Sequence, residues 1–154
     1  MIKSLAGFLS QTLGLKADNA ISPEHALELC AAALMLEIAL ADSAIDIGEQ
    51  SVIKKAISEH FHLDEQETEA VVGLARQQQR DANSLHDFTR AINAELSREE
   101  KNTLIELLWK VAAADSVIHK YEEYFIRKIA DLLYVSHKDY IRAKHRATEV
   151  RREG

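Results

Sequence analysis

The chain has 154 residues, 47% of them apolar and 29% charged, with one cysteine, one proline and a formal net charge of -6. A chain of that size can bury roughly two thirds of the surface it exposes when unfolded. A lone cysteine excludes an internal disulfide and points to a reducing compartment, and the acidic balance argues against nucleic acid as a partner, since phosphate binding draws on clustered Lys and Arg.

Ala, Leu, Glu, Lys and Gln dominate while Gly and Pro are scarce, so propensity predicts an all-α fold. In residues 1–21, Ile2, Leu5, Leu9 and Leu13 recur at helical spacing and are followed by a linker from Gly14. This amphipathic stretch either packs on the domain or makes a membrane-surface contact through residues 1–13. It has no cleavage-site pattern of a signal peptide. Ser22-Pro23-Glu24 reads as an N-cap, a proline at the first helical position and an acid in the first turn. The helix it opens runs to about Asp42, and its apolar stretch Leu29 to Ala41 contains Glu37 and Cys30. That stretch is shorter than the ~20 residues of a membrane span, so a buried helix and a cytoplasmic location are expected.

Asp46 with Glu49, Asp64 with Glu67, Ser84 with Asp87, Ser97 with Glu100 and Ser136 with Asp139 each have the form of a helix start capped three residues on. Together they predict a single-domain bundle of about seven or eight helices over residues 22–148, followed by a basic tail at 149–154. Lys138, Arg142, Lys144 and Arg146 make the last helix basic, which reads as a solvated face or as a contact for an acidic partner.

An internal repeat organises these elements. Leu34 to Ile53 aligns without a gap onto Leu107 to Ile126, sharing Ala-Asp-Ser-x-Ile-x-x-x-Glu-x-x-x-Ile, within repeats spanning about 23–74 and 97–146. In each copy an apolar helix precedes the loop and an amphipathic helix follows it. A pseudo-twofold arrangement is expected, with the apolar helices in contact and the two loops close together.

The loops gather Asp42, Asp46 and Glu49 in the first copy and Asp115, His119 and Glu122 in the second. Asp42 and Asp115 fall at helix C-termini, where the macrodipole disfavours a carboxylate by about 0.3–1 kcal/mol. If the loops adjoin, a cation would relieve the crowding, and oxygen ligands favour Ca²⁺ or Mg²⁺ while His119 leaves a transition metal open. The competing reading makes the same residues helix caps. An EF-hand is excluded, because the twelfth residue counted from Asp42 is Ile53 rather than Glu.

The doubled Ala-Asp-Ser-x-Ile-x-x-x-Glu element on an all-α chain resembles the TerB-like (tellurite resistance protein B) family and the related N-terminal domain of DjlA co-chaperones. The family usually has glycine where this chain has Ser43 and Ser116. The resemblance implies a non-enzymatic module that binds a divalent cation through its acidic residues and a protein partner, in a tellurite or envelope stress setting. A metal-dependent hydrolase is the remote alternative, because no nucleophile, base or phosphate cradle is recognisable. Glu59 and His62 supply one Glu-x-x-His where a di-iron bundle needs two. His60 and His62 are therefore expected to end a helix, and Trp109 to sit in the core.

Overall fold

The computed structural model describes residues 22–42, 44–79 and 84–153, together with Gly7, Leu9 and Gly14. These residues form eight helices and no strand: α1 (Pro23–Ala41), α2 (Ile47–His60), α3 (Glu65–Gln79), α4 (Ser84–Glu95), α5 (Arg98–Ala114), α6 (Ser116–Lys120), α7 (Glu122–Leu132) and α8 (His137–Glu153). The chain divides into two compact units, residues 1–95 and 96–154. One repeat falls in each.

In unit 1 the central element is α1. Ser22 caps it through the His25 amide at 3.1 Å with Pro23 in the first turn, and every residue from Leu29 to Ala39 is buried. An apolar helix without a polar face can be stable only when covered on all sides. Within the unit α1 packs chiefly on α3 and secondarily on α2, and α4 lies against α3. The amphipathic character of α2 follows from burying Ile53, Ala56 and Ile57 while its other faces stay wet. Most of residues 1–21 lie outside the described residues, as does any membrane contact through 1–13. Leu9, which is described, is helical and fully buried.

Unit 2 repeats the plan with α5 at its centre, packed chiefly on α8 and also on α6 and α7. Ser97 and Glu100 close a capping box at the start of α5. Leu104, Ile105, Leu108, Trp109, Val111 and Ala112 are buried along it. Trp109 is a core residue as expected, edge-on to Tyr140 at 5.6 Å and beneath the Lys144 ammonium at 5.1 Å. That placement gives one basic residue of α8 a structural partner.

Both units turn into the helix that packs chiefly on the central one, α3 in unit 1 and α8 in unit 2, through the same device. The His62 and Leu63 amides bond back to the Glu59 and Ser58 carbonyls, and the Tyr134 and Val135 amides to those of Asp131 and Ala130. This double bond is the Schellman closure, whose pivot residue is left-handed and usually glycine. Here the pivots are His62 at φ 58° and Tyr134 at φ 57°. Two residues on, Asp64 and Ser136 cap α3 and α8 through the amides of Glu67 and Asp139.

Candidate functional site

The first acidic loop is built from caps. Asp42 ends α1 in an extended conformation. Its Oδ1 accepts the Ala44 amide at 2.8 Å and its carbonyl accepts that of Ile45 at 3.1 Å. The tight turn drives Ile45 into the core, which stabilises by about 1.5–3 kcal/mol. Asp46 then caps α2: its Oδ1 accepts the Glu49 amide at 2.7 Å, and Glu49 Oε1 reaches back to the Asp46 amide at 3.5 Å. Asp46 and Glu49 are thus brought together, and Asp42 is turned onto the loop backbone.

In the second copy the loop closes up. Sequence reasoning expected a loop followed by one amphipathic helix, whereas Asp115 is at once the C-cap of α5 and the N-cap of α6, with no loop residue between. Its Oδ1 accepts the Val117 and Ile118 amides at 2.8 and 3.1 Å. The physical reason is the residue opposite Asp46: His119 carries no carboxylate to cap a later start, and the helix begins instead at the Asp115 carboxylate. After the five residues of α6 the chain breaks at Tyr121, and α7 starts there without a side-chain cap. Ile118, the counterpart of Ile45, is again buried. His119 lies exposed in the last turn of α6, and Glu122 opens α7 with its side chain outside the described atoms. Among the described residues, no three His, Cys, Asp or Glu side chains form a group that could hold a metal ion.

Beside the first loop, the ends of α1, α2 and α3 enclose a groove of about 220 Å³. Leu36, Leu40 and Val72 give it apolar walls, Ile47 stands at its rim, and Lys54 and Arg76 bring positive charge. Ile47 is 85% exposed and Val52, on the same helix, 50%. Of the two, only Ile47 lines the groove, so the apolar surface there extends from the Leu36, Leu40 and Val72 walls out to an exposed side chain.

Two features escaped the sequence reading. The first is a chain of four side chains across unit 1. His62 Nδ1 meets Glu28 Oε2 at 2.8 Å, Glu28 Oε1 meets His25 Nδ1 at 2.9 Å, and His25 Nε2 meets Glu67 Oε2 at 2.8 Å. Burial lowers the affinity of His25 for its proton, but its hydrogen bonds to Glu28 and Glu67 outweigh that and hold the imidazole above its ordinary value. The His25-x-x-Glu28 spacing was visible in the sequence, but the partners from residues 62 and 67 were not. His62, expected merely to end a helix, instead ties the turn after α2 to α1.

The second is Glu37, 4% exposed in the middle of α1, with neither carboxylate oxygen hydrogen-bonded. Burial pushes its carboxyl up to about 8, so at neutral pH it is largely protonated. Cys30, two turns earlier, is fully buried and its thiol is pushed up, first by burial and then by Glu37, which makes it an inert core residue.

A family model described as tellurite resistance protein TerB matches residues 28–145. No curated protein and no solved structure matches the chain. The matched span takes in most of both repeats and both acidic loops, and it starts in α1 and ends in α8. No described helix is long and apolar enough to cross a membrane.

Proposed function

The chain belongs to the TerB family, and on that premise we propose that it is a non-catalytic binding module whose contact surface is the end of unit 1 where the acidic loop meets the groove. The observation that carries this reading is Ile47, 85% exposed at the rim of an apolar groove. At about 220 Å³ the groove is smaller than the roughly 300–1,000 Å³ of small-molecule sites and suits one or two apolar side chains of a protein partner. Lys54 and Arg76 favour an acidic residue beside that anchor, while Asp42 and Asp46 at the loop repel one, so the surface selects for charge placement. The test is a photo-crosslinking residue at position 47 in living cells, competed by unlabelled protein. Ile47→Asp and Lys54→Glu competitors, folded by circular dichroism, should fail to compete. Full competition by both would reject the surface.

A second reading, a divalent cation such as Ca²⁺ or Mg²⁺ taken by the loop carboxylates, has its own support. Neither α1 nor α5 has a basic residue in its last turn to offset the carboxylate at its end. Asp42 and Asp46 also each spend a single oxygen, Oδ1, on capping. A hundredfold excess of a cation over its dissociation constant would add about 2.7 kcal/mol, roughly 5–10 °C in melting temperature for this chain. Thermal unfolding in EDTA against Ca²⁺, Mg²⁺, Mn²⁺ and Zn²⁺ decides it, and a shift under about a degree for every ion removes the cation.

A further inference from the structure

We propose that His25 is a proton-operated latch inside unit 1, which holds the first turn of α3 against α1 while both of its ring nitrogens carry protons and lets that turn go when one is lost. The argument begins with the acceptors. A carboxylate can only accept, so Glu28 on one ring nitrogen and Glu67 on the other each require an N–H. Neutral imidazole has one, and only the imidazolium has two. Removing a proton therefore converts one of the two contacts, at 2.9 and 2.8 Å, from a charge-assisted hydrogen bond into a lone pair facing an anion.

The surroundings decide which contact yields. Glu28 is held from a second side by His62, whose ring also donates to it. Glu67 is held by the Asp64 amide through its other oxygen, at 3.0 Å, a bond local to α3 itself. Losing the His25 contact thus leaves Glu28 tied to unit 1's turn, but leaves Glu67 tied only to its own helix. The charged groups set against the ring are Glu28 from α1 and Glu67 from the start of α3, with His62 on the far side of Glu28 and Asp64 capping the turn that carries Glu67. Among the described residues no Lys or Arg is hydrogen-bonded to Glu28 or Glu67, and His25 joins α1 to α3 there.

The sign follows from the raised proton affinity of His25. The latch is complete below the ordinary imidazole value of 6.5 and is lost as pH climbs through the higher folded value. Unit 2 supplies the internal control. Extending the repeat register backwards sets Arg98 opposite His25, and Asp139 holds the same third position of α8 that Glu67 holds in α3. There Arg98 Nε and Nη2 grip Asp139 at 3.0 and 3.3 Å. A guanidinium does not lose its proton in this range, so the second clasp has no alkaline release. Because α3 also carries Val72 and Arg76 of the groove, release would reshape that surface, although the latch is tested without any partner.

The experiment is a titration of the isotope-labelled full chain from about pH 5.5 to about pH 9 by nuclear magnetic resonance. It follows the His25 ring and the amide shifts of residues 65–70 and 138–143. The His25 midpoint should lie above 6.5, the first-turn amides of α3 should move with it, and those of α8 should stay flat. Glu67→Gln should lower the midpoint and flatten the α3 response, and Glu28→Gln serves if that variant does not fold. Glu37→Gln, which removes the buried carboxyl of α1 that is pushed up into this window, should leave the His25 curve unchanged. A midpoint at or below 6.5, α3 amides that ignore it, α8 amides that follow it, or loss of the response in Glu37→Gln would each overturn the latch.

Discussion

Unit 1 and unit 2 each pack a central helix against a helix whose capping residue lies two residues after a left-handed pivot, but they fasten that packing with different chemistry. At the clasp, unit 1 uses His25 and Glu67 where unit 2 uses Arg98 and Asp139. In the loop, unit 1 spends Asp42 and Asp46 on two separate caps, whereas unit 2 makes Asp115 serve both helices. In mid-helix, Glu37 is buried without a partner, while Lys110 at the aligned position is half-exposed and reaches Glu106 at 3.4 Å. The backbone plan is common to both units, whereas the buried carboxyl of Glu37 and the imidazole clasp of His25 belong to unit 1. Groups that change charge near neutral pH make a structure responsive, and their permanent counterparts make it stable.

The largest effect that would break this asymmetry is at Glu37. Its carboxyl rises from 4.5 to about 8 in the folded chain, so folding takes up a proton across that range. Stability should therefore fall as pH rises from about 4.5 to about 8 and level off above, by on the order of 5 kcal/mol in total. Glu37→Met, an apolar side chain of similar length, should raise stability at pH 8 by roughly 2–4 kcal/mol and remove most of that slope. Urea unfolding at several pH values measures both. A wild type whose stability is flat across the window would show that Glu37 finds a partner.

Smaller effects come from the caps, and they should rank by how many amides each carboxylate serves. Asp115 accepts from two amides and starts a helix, so Asp115→Ala should cost about 1–2 kcal/mol. Asp46→Ala, which breaks a capping box, should cost about 1 kcal/mol, and Asp46→Asn almost nothing. Among the described residues the Asp42 carboxylate serves one amide, that of Ala44, in an exposed turn, so Asp42→Ala should cost less than either. A larger loss at Asp42 than at Asp115, in chemical denaturation without added metal, would mean that Asp42 has a role beyond the turn.

Helix starts were the most legible feature of the sequence because capping is local. Asp46 with Glu49, Asp64 with Glu67 and Ser97 with Glu100 each bond across three residues, and all three form as the spacing predicts. The repeat was legible for the same reason, since buried Ile45 and Ile118 mark one register. The clasps were not, because His25 and Glu67, or Arg98 and Asp139, are brought together only by packing of helices far apart in the chain. The closing of the second loop turned on one substitution, His119 for Asp46, and shared motif residues hid it. Of the six acidic-loop residues, sequence placed Asp46 and Glu49 together correctly. Glu37 was noticed only as an interruption of an apolar stretch.

The smallest predicted effect isolates backbone from side chain at the two pivots. His62 and Tyr134 hold the same left-handed conformation, φ 58° and 57°, where a side chain is strained and glycine is not. Tyr134 is 78% exposed, so its side chain contributes little packing there. Tyr134→Gly should then stabilise by about 0.5–1 kcal/mol, the relief of strain exceeding the extra freedom glycine gives the unfolded chain. His62→Gly gains the same relief but gives up the hydrogen bond to Glu28, whose net contribution is about 0.5–1.5 kcal/mol. The two terms nearly cancel, so His62→Gly should change stability by less than about 0.5 kcal/mol, or about 1–2 °C in melting temperature. If His62→Gly stabilised as much as Tyr134→Gly, the His62–Glu28 bond would contribute nothing in solution. Glu28 would then lose the second anchor that makes α3, rather than α1, the element His25 releases.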